Sequence, residues 1–171
     1  MTIILDDRSL DSVFRAALPC RSWLDKPVSE AIIEAVWELA KLPPICDTAY
    51  PARIVFAKSR EAKEKILPAL APSDAAATLT APVTAIIGYD PTATVAWRDG
   101  TLQGAYVILA ARALGLDCVP VAPLDLARLD AVFFPDDSAK TSFVCNLGYG
   151  DPQQTLERPP APAFEAVCRF A

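Results

Sequence analysis

Few residues in this 171-residue chain are of types that perform chemistry. It contains no histidine, which excludes serine–histidine and cysteine–histidine catalysis, HExxH zinc sites and a histidine general base. The five cysteines are widely spaced and form no CxxC pair, a pattern that favours reduced, buried thiols over a disulfide framework or a zinc site. We therefore predict no metal site and no catalytic side chain, and we expect any chemistry to come from a cofactor.

Four polar residues outside the predicted helices allow two interpretations. Arg21 and Ser22 follow the first helix, Lys140 precedes the last strand, and Arg158 lies in the C-terminal segment. Each is most simply a surface residue. Together they also suit a phosphate clamp, because an arginine guanidinium offers a bidentate fork to a phosphate group.

Nucleotide-binding loops of the common kinds are absent. The chain has neither GxGxxG after a strand nor GxxxxGK[ST], and its six glycines are scattered. The stretch "LGYGD" at 147–151 follows a predicted strand and precedes no helix. It predicts a glycine turn, with an anion-binding nest as the alternative.

Charge and hydropathy exclude further classes. The net charge of −5 and the pI of about 4.7 argue against a nucleic-acid-binding surface. No apolar run approaches the roughly 20 residues of a membrane span, and the N-terminus lacks the basic leader of a signal peptide. We therefore expect a cytoplasmic protein with neither nucleic acid nor membrane as a partner.

Helical and strand patterns alternate along the chain and predict one domain over residues 1–171, either α+β or α/β. Residues 1–20 carry an N-terminal helix, and residues 152–171 form an extended, proline-rich segment. Ser29 and Ser59 are predicted helix caps. The predicted helices are 10–18, 29–42, 59–70, 95–116 and 125–133, and the predicted strands are 52–58, 82–89 and 142–150. Residues 71–80 suit a short helix or a loop, and residues 118–121 suit a short strand or a loop.

Several of these segments, in this order, resemble the nitroreductase family of FMN-dependent oxidoreductases, and in particular its malonic semialdehyde reductase-like branch. They include "KPVSEAIIEAVWELAKLPP", "TAPVTAIIGYD", "LQGAYVILAARALGLD" and "NLGYGDP". The resemblance implies an α+β fold with a mixed central sheet of four to five strands surrounded by helices. It also implies a homodimer with FMN in interfacial pockets, NAD(P)H as the electron donor, and a ping-pong reaction with a nitro, quinone or small aldehyde acceptor.

The resemblance assigns cofactor roles by position. Arg21 and Ser22 match a basic-polar element at the flavin phosphate and ribityl chain, and Lys140 matches a basic residue near the flavin. Arg158 keeps one of two arginines that are usual in the C-terminal segment. The resemblance also implicates two loops, represented by Pro44 and Thr48 in the first and by Val121 and Ala122 in the second.

The second loop, "CVPVAPLD" at 118–125, departs from the family pattern. Relatives have glycines where this chain has Val119 and Pro123, and the glycine N–H groups there approach flavin N5 and O4. Proline has no N–H to donate. A short stretch, "DPTAT" at 90–94, also replaces a long excursion over the active site. Two hypotheses therefore stand: an oxidoreductase with a weakened flavin site, or a flavin-free homodimer that has become a binding or structural protein.

Overall fold

In a computed structural model that describes residues 4–44 and 50–171, four strands form one sheet in the order β1-β2-β4-β3. Every neighbouring pair is antiparallel. The predicted α+β fold with about four strands is confirmed. The resemblance implied a mixed sheet, whereas the sheet of the described residues is antiparallel throughout. The strands are β1 (Ala52–Ala57), β2 (Val83–Tyr89), β3 (Asp117–Val121) and β4 (Lys140–Gly148).

Helices cover both faces of the sheet. One hydrophobic cluster joins α2 and α5 to one face, and a second joins α3 and α6 to the other. The central strand β2 is buried on both faces, as its continuous apolar run predicts. The helices are α1 (Asp7–Leu10, continued by a π-helix over Asp11–Arg15), α2 (Glu30–Ala40), α3 (Arg60–Ile66), α4 (Pro72–Thr80), α5 (Ala96–Ala113), α6 (Leu126–Phe133) and α7 (Phe164–Val167).

Side-chain caps begin four of these helices: Asp6 caps α1, and Ser29, Ser59 and Asp125 cap α2, α3 and α6. The Ser29 hydroxyl accepts the N–H of Ile32 at 3.3 Å, and the Ser59 hydroxyl accepts the N–H of Ala62 at 3.1 Å. Both predicted caps are thus confirmed. The Asp125 carboxylate caps α6 in the same way, and it ends the proline-containing loop that follows β3.

Gly104 allows α5 to lie close to the sheet. A Cβ at this position would come within 2.8 Å of side-chain atoms of Ile87 on β2 and Phe143 on β4. Small residues on a helix are compatible either with a helix–helix interface or with an ordinary core helix. At Gly104 the structure supports the second, because the glycine faces the sheet of its own chain.

A buried polar chain connects α4 to the sheet. The Thr84 hydroxyl donates to Asn146 Oδ1 at 2.8 Å, and Asn146 Nδ2 donates to Thr78 Oγ1 at 2.9 Å. All three residues are fully buried. Each partner therefore satisfies a polar group that would be costly to leave unpaired.

We predict that Thr78→Val lowers the free energy of unfolding by about 1–3 kcal/mol, because it leaves the Asn146 amide without its acceptor. Urea denaturation measures the change. Thr80→Val is the matched control: it makes the same replacement on the same helix at an exposed position. Equal losses in the two variants would mean that the buried hydrogen bond to Asn146 contributes no more than the exposed bonds of the Thr80 hydroxyl to the carbonyls of Ala76 and Ala77.

Candidate functional site

An irregular antiparallel pairing holds Arg21 and Ser22. The Arg21 N–H donates to the carbonyl of Gln154 at 2.9 Å, and the Asp151 N–H donates to the carbonyl of Ser22 at 3.0 Å. Further backbone bonds extend the pairing, so residues 19–24 run beside residues 149–156. The segment that follows β4 thereby fixes the backbone of both predicted site residues.

The same pairing brings Arg158 to this region. Its Nη2 donates to the carbonyls of Phe14 and Ala17 at 2.8 and 2.9 Å, which places it against the end of the N-terminal helical segment. Neither Arg158 nor the exposed Arg21 forms an ion pair with any residue that the structure describes. Two guanidinium groups without a carboxylate partner thus lie on neighbouring segments of an acidic chain.

Gly150 permits this approach. A Cβ at Gly150 would lie 2.9 Å from Sγ of Cys20, and the Gly150 N–H donates to Oδ2 of Asp117 at 2.8 Å. A carboxylate of the protein therefore already uses this N–H, which supports the glycine-turn interpretation of "LGYGD" over the anion nest.

The thiol of Cys20, beside Arg21, is not poised for reaction. Its burial, with a smaller contribution from the nearby Asp117 carboxylate, raises its pKa to about 11. A thiol with such a pKa stays protonated at neutral pH and is a poor nucleophile. Cys20 is therefore not a candidate nucleophile.

The proline-containing loop after β3 uses its donors within the fold. The N–H groups of Leu124 and Asp125 both donate to the carbonyl of Ala69, at 2.7 and 3.3 Å. Pro123 has no N–H. From Pro123 to Asp125 the loop therefore offers no backbone donor to a ligand. Of the two predicted site residues before Pro123, Val121 is buried and Ala122 is exposed.

Lys140 lies far from the two arginines within one protomer. It begins β4, whereas Arg21 and Ser22 lie beyond the other end of that strand, and eight residue steps of about 3.4 Å give roughly 27 Å. Its ammonium contacts Asp137 at 2.6 Å and lies 3.8 Å from Asp130. The hydrogen bond to Asp137 is the main cause of its raised pKa. One chain thus cannot place Lys140 and Arg21 on the same phosphate.

The remaining predicted residues belong to the loop after α2. Pro44 is exposed, and Thr48 lies outside the described residues. The cofactor roles of the eight residues stay predictions.

Among the described residues, no group of histidine, cysteine, aspartate and glutamate side chains is suited to hold a metal ion. None of the described helices is both long and apolar enough to cross a membrane.

Comparison with known proteins gives close relatives over the whole chain. A protein of Stenotrophomonas maltophilia provisionally named NADH dehydrogenase/NAD(P)H nitroreductase is 41% identical, and the match covers all of both chains. A protein of Cupriavidus pinatubonensis with the same provisional name is 37% identical over 95% of this chain and 97% of its own. This chain belongs to the nitroreductase family of oxidoreductases. No general protein-family model matches it.

Solved structures agree with this nitroreductase fold. A provisionally named nitroreductase from Bacillus subtilis superimposes with a TM-score of 0.87 at 13% identity, covering 97% of this chain and all of the other. An FMN-dependent nitroreductase from Clostridium difficile gives 0.79 at 15% identity, covering 93% and 97%. An iodotyrosine deiodinase solved with FMN and 3-iodo-L-tyrosine also gives 0.79, at 14% identity, covering 95% and 98%.

This member of the family is shorter than its relative. The alignment with the Stenotrophomonas protein spans 196 positions, whereas the chain has 171 residues, so at least 25 aligned positions have no counterpart here. In the structure, β2 and α5 are joined by only the six residues 90–95. A shortened chain is therefore confirmed.

The sequence interpretation missed a cavity lined by lysines. Lys63 is buried and lines a cavity with Lys58 and Trp23. One signal was available: Lys63 and Ile66 are three residues apart on α3 and share its inner face. That spacing alone does not reveal a cavity.

Proposed function

We propose that this nitroreductase is an FMN-dependent NAD(P)H oxidoreductase that reduces a nitro, quinone or small aldehyde acceptor by a ping-pong mechanism. The observation that carries the proposal is the pair of arginines, Arg21 and Arg158, brought to neighbouring segments without carboxylate partners. Guanidinium groups are well suited to bind a phosphate.

The residues present fit the phosphate end of FMN better than its ring. Arg21, Arg158 and the Ser22 hydroxyl would hold the phosphate and ribityl chain. At the ring, Val121 and Ala122 would provide the nearest backbone, because the N–H groups of the residues that follow are absent or already used. The site therefore keeps side chains suited to the phosphate but lacks backbone N–H donors beside the flavin ring, which supports a weakened flavin site.

The protein's contribution to the reaction is binding and orientation. Bound flavin supplies the transfer of electrons from NAD(P)H to the acceptor. The pairing of residues 19–24 with 149–156 orients the phosphate ligands. The described thiols near the site are buried, and Cys20 stays protonated, so they take no part as nucleophiles.

A homodimer is part of this proposal. In one protomer the predicted site residues lie at both ends of the sheet, so a second copy is needed to complete a pocket. The C-terminal segment 157–171 is exposed along its length, including Phe164, Val167 and Phe170, and Phe170 is 92% exposed. Large apolar side chains exposed together in this way mark an interaction surface.

A cytoplasmic location belongs to the same proposal. Cys20, Cys118, Cys145 and Cys168 are all free thiols, the state that reducing compartments maintain.

The flavin-free alternative rests on one specific observation, the lack of N–H donors from Pro123 to Asp125. A protein that no longer binds FMN would use the cleft for another ligand, or serve as a structural homodimer.

The deciding experiment is titration with FMN. We predict saturable binding, with a flavin absorption band and thermal stabilisation of about 2.7 kcal/mol at a hundredfold excess over the dissociation constant. Arg21→Met should weaken binding by about tenfold or more, through loss of a charge-assisted hydrogen bond. Arg60→Met, an exposed arginine paired with Glu64 on α3, is the control. If millimolar FMN produces neither a bound-flavin absorption band nor thermal stabilisation, the flavin-free alternative is established.

A second prediction concerns the proline loop. Pro123→Gly restores one N–H and should strengthen FMN binding about fivefold, the effect of one hydrogen bond of about 1 kcal/mol. Pro72→Gly, at an exposed position in the first turn of α4, should leave the affinity unchanged. Equal affinities of wild type and Pro123→Gly would show that this donor is not limiting.

A third prediction concerns assembly. Sedimentation should show a dimer. The double variant Val167→Ser/Phe170→Ser should raise the dissociation constant of the dimer at least about tenfold, because each buried side chain contributes about 1.5–3 kcal/mol. Leu114→Ser changes an exposed apolar residue outside the tail. If Leu114→Ser weakens the dimer equally, the C-terminal segment 157–171 is not the interface. A monomeric wild type would contradict the interfacial pocket.

A further inference from the structure

A cavity of about 720 Å³ opens where α2 begins, β1 ends and β2 begins. This volume lies in the range of sites for small molecules. Residues 23–28 form one wall, and Lys58, Lys63 and residues 80–82 form the rest. None of the residues predicted to hold FMN lines it.

Lys63 gives the cavity its chemistry. The residue is buried, with 6% of its surface exposed, and its ammonium donates to the carbonyl of Ala81 at the end of α4. It forms no ion pair with any described residue. An ammonium has three donors, so this single acceptor leaves two of them for a ligand. Burial lowers the pKa of Lys63, which reflects the cost of holding this charge without a counter-ion.

Two more lysines line the cavity. Lys58 is held only loosely by Glu30, at 3.5 Å, and the Glu30 side chain is 84% exposed. Lys26 lies over the ring of Tyr149, at 3.6 Å from its centroid. Asp25 is the one acidic residue of the lining. The cavity is therefore basic although the chain carries a net charge of −5.

The rest of the wall is mainly apolar. Trp23 uses its indole N–H on the carbonyl of Ala77 at 3.0 Å, so its side chain has no further hydrogen-bond donor and contributes apolar surface to the lining. Leu24, Pro27 and Pro82 add to this surface. The cavity thus combines several cations with contacts for a carbon skeleton.

We propose that this cavity binds the phosphate group of a small organic phosphate, with Lys63 and Lys58 as its ligands and Trp23 against the organic part. A dianion satisfies more than one lysine and supplies the counter-ion that Lys63 lacks. The site is separate from the proposed flavin site and stands whether or not FMN binds.

Titration of the full-length protein with inorganic phosphate, at constant ionic strength, tests the proposal. The indole N–H resonance of Trp23, assigned with Trp23→Phe, reports on the cavity. We expect a saturable shift of this resonance, and Lys63→Met should weaken the apparent affinity at least about tenfold. Lys65→Met, which removes the same charge from an exposed position of α3, should change it little.

Two further variants keep the test decisive. Arg21→Met should retain the shift; its loss would mean that phosphate acts at the proposed flavin site, which would overturn the proposal. Lys58→Gln leaves the Lys63–Ala81 contact intact, so it replaces Lys63→Met if that variant does not fold. Lys58→Gln should weaken binding severalfold, and unchanged binding would contradict the assignment. Acetate binding as tightly as phosphate would rule out a site for a dianion.

Discussion

The antiparallel pairing of residues 19–24 with residues 149–156 positions the residues proposed for the phosphate end of the flavin and one wall of the lysine-lined cavity. It joins the segment after the N-terminal helical turns to the segment after β4. Arg21 and Ser22 lie within the pairing, and Arg158 lies just after it. The same pairing carries Trp23 into the wall of the lysine-lined cavity. A loss of this pairing would therefore disturb both sites at once, although they share no residue.

The loop after β3 shows how a fold can take over groups that a ligand would use. Ala69 accepts two N–H groups from this loop, and Asp125 then caps α6. These bonds tie β3 to the helices on one face of the sheet. The loop therefore stabilises the fold with the N–H groups of Leu124 and Asp125, which are then not available to a cofactor. Proline at 123 is compatible with that role, because a residue without an N–H leaves no donor unsatisfied there.

Local signals predicted most of the fold because each acts within a few residues. Ser29 and Ser59 cap their helices through N–H groups three positions away, and the apolar run of β2 marks a strand covered on both faces. The sites depend instead on contacts between distant segments. Arg158 meets Phe14, 144 residues earlier, and no spacing in the sequence indicates this. The family resemblance supplied the residue types. Only the folded structure shows that Lys140 lies at one end of the sheet and the two arginines lie at the other.

Among the described residues, burial without an ion pair distinguishes Lys63 from the other lysines and arginines of this protein. The chain has 21 acidic and 16 basic residues, and eight of its lysines and arginines form an ion pair within the described residues, Arg15, Arg60 and Lys65 among them. Of the cations that form no ion pair there, Arg21 and Arg158 are exposed, and Lys63 is the buried one. A cation kept without a carboxylate in an acidic chain costs free energy when it is buried, as Lys63 is. The anion that we propose for the lysine-lined cavity would supply the counter-ion that Lys63 lacks among the described residues.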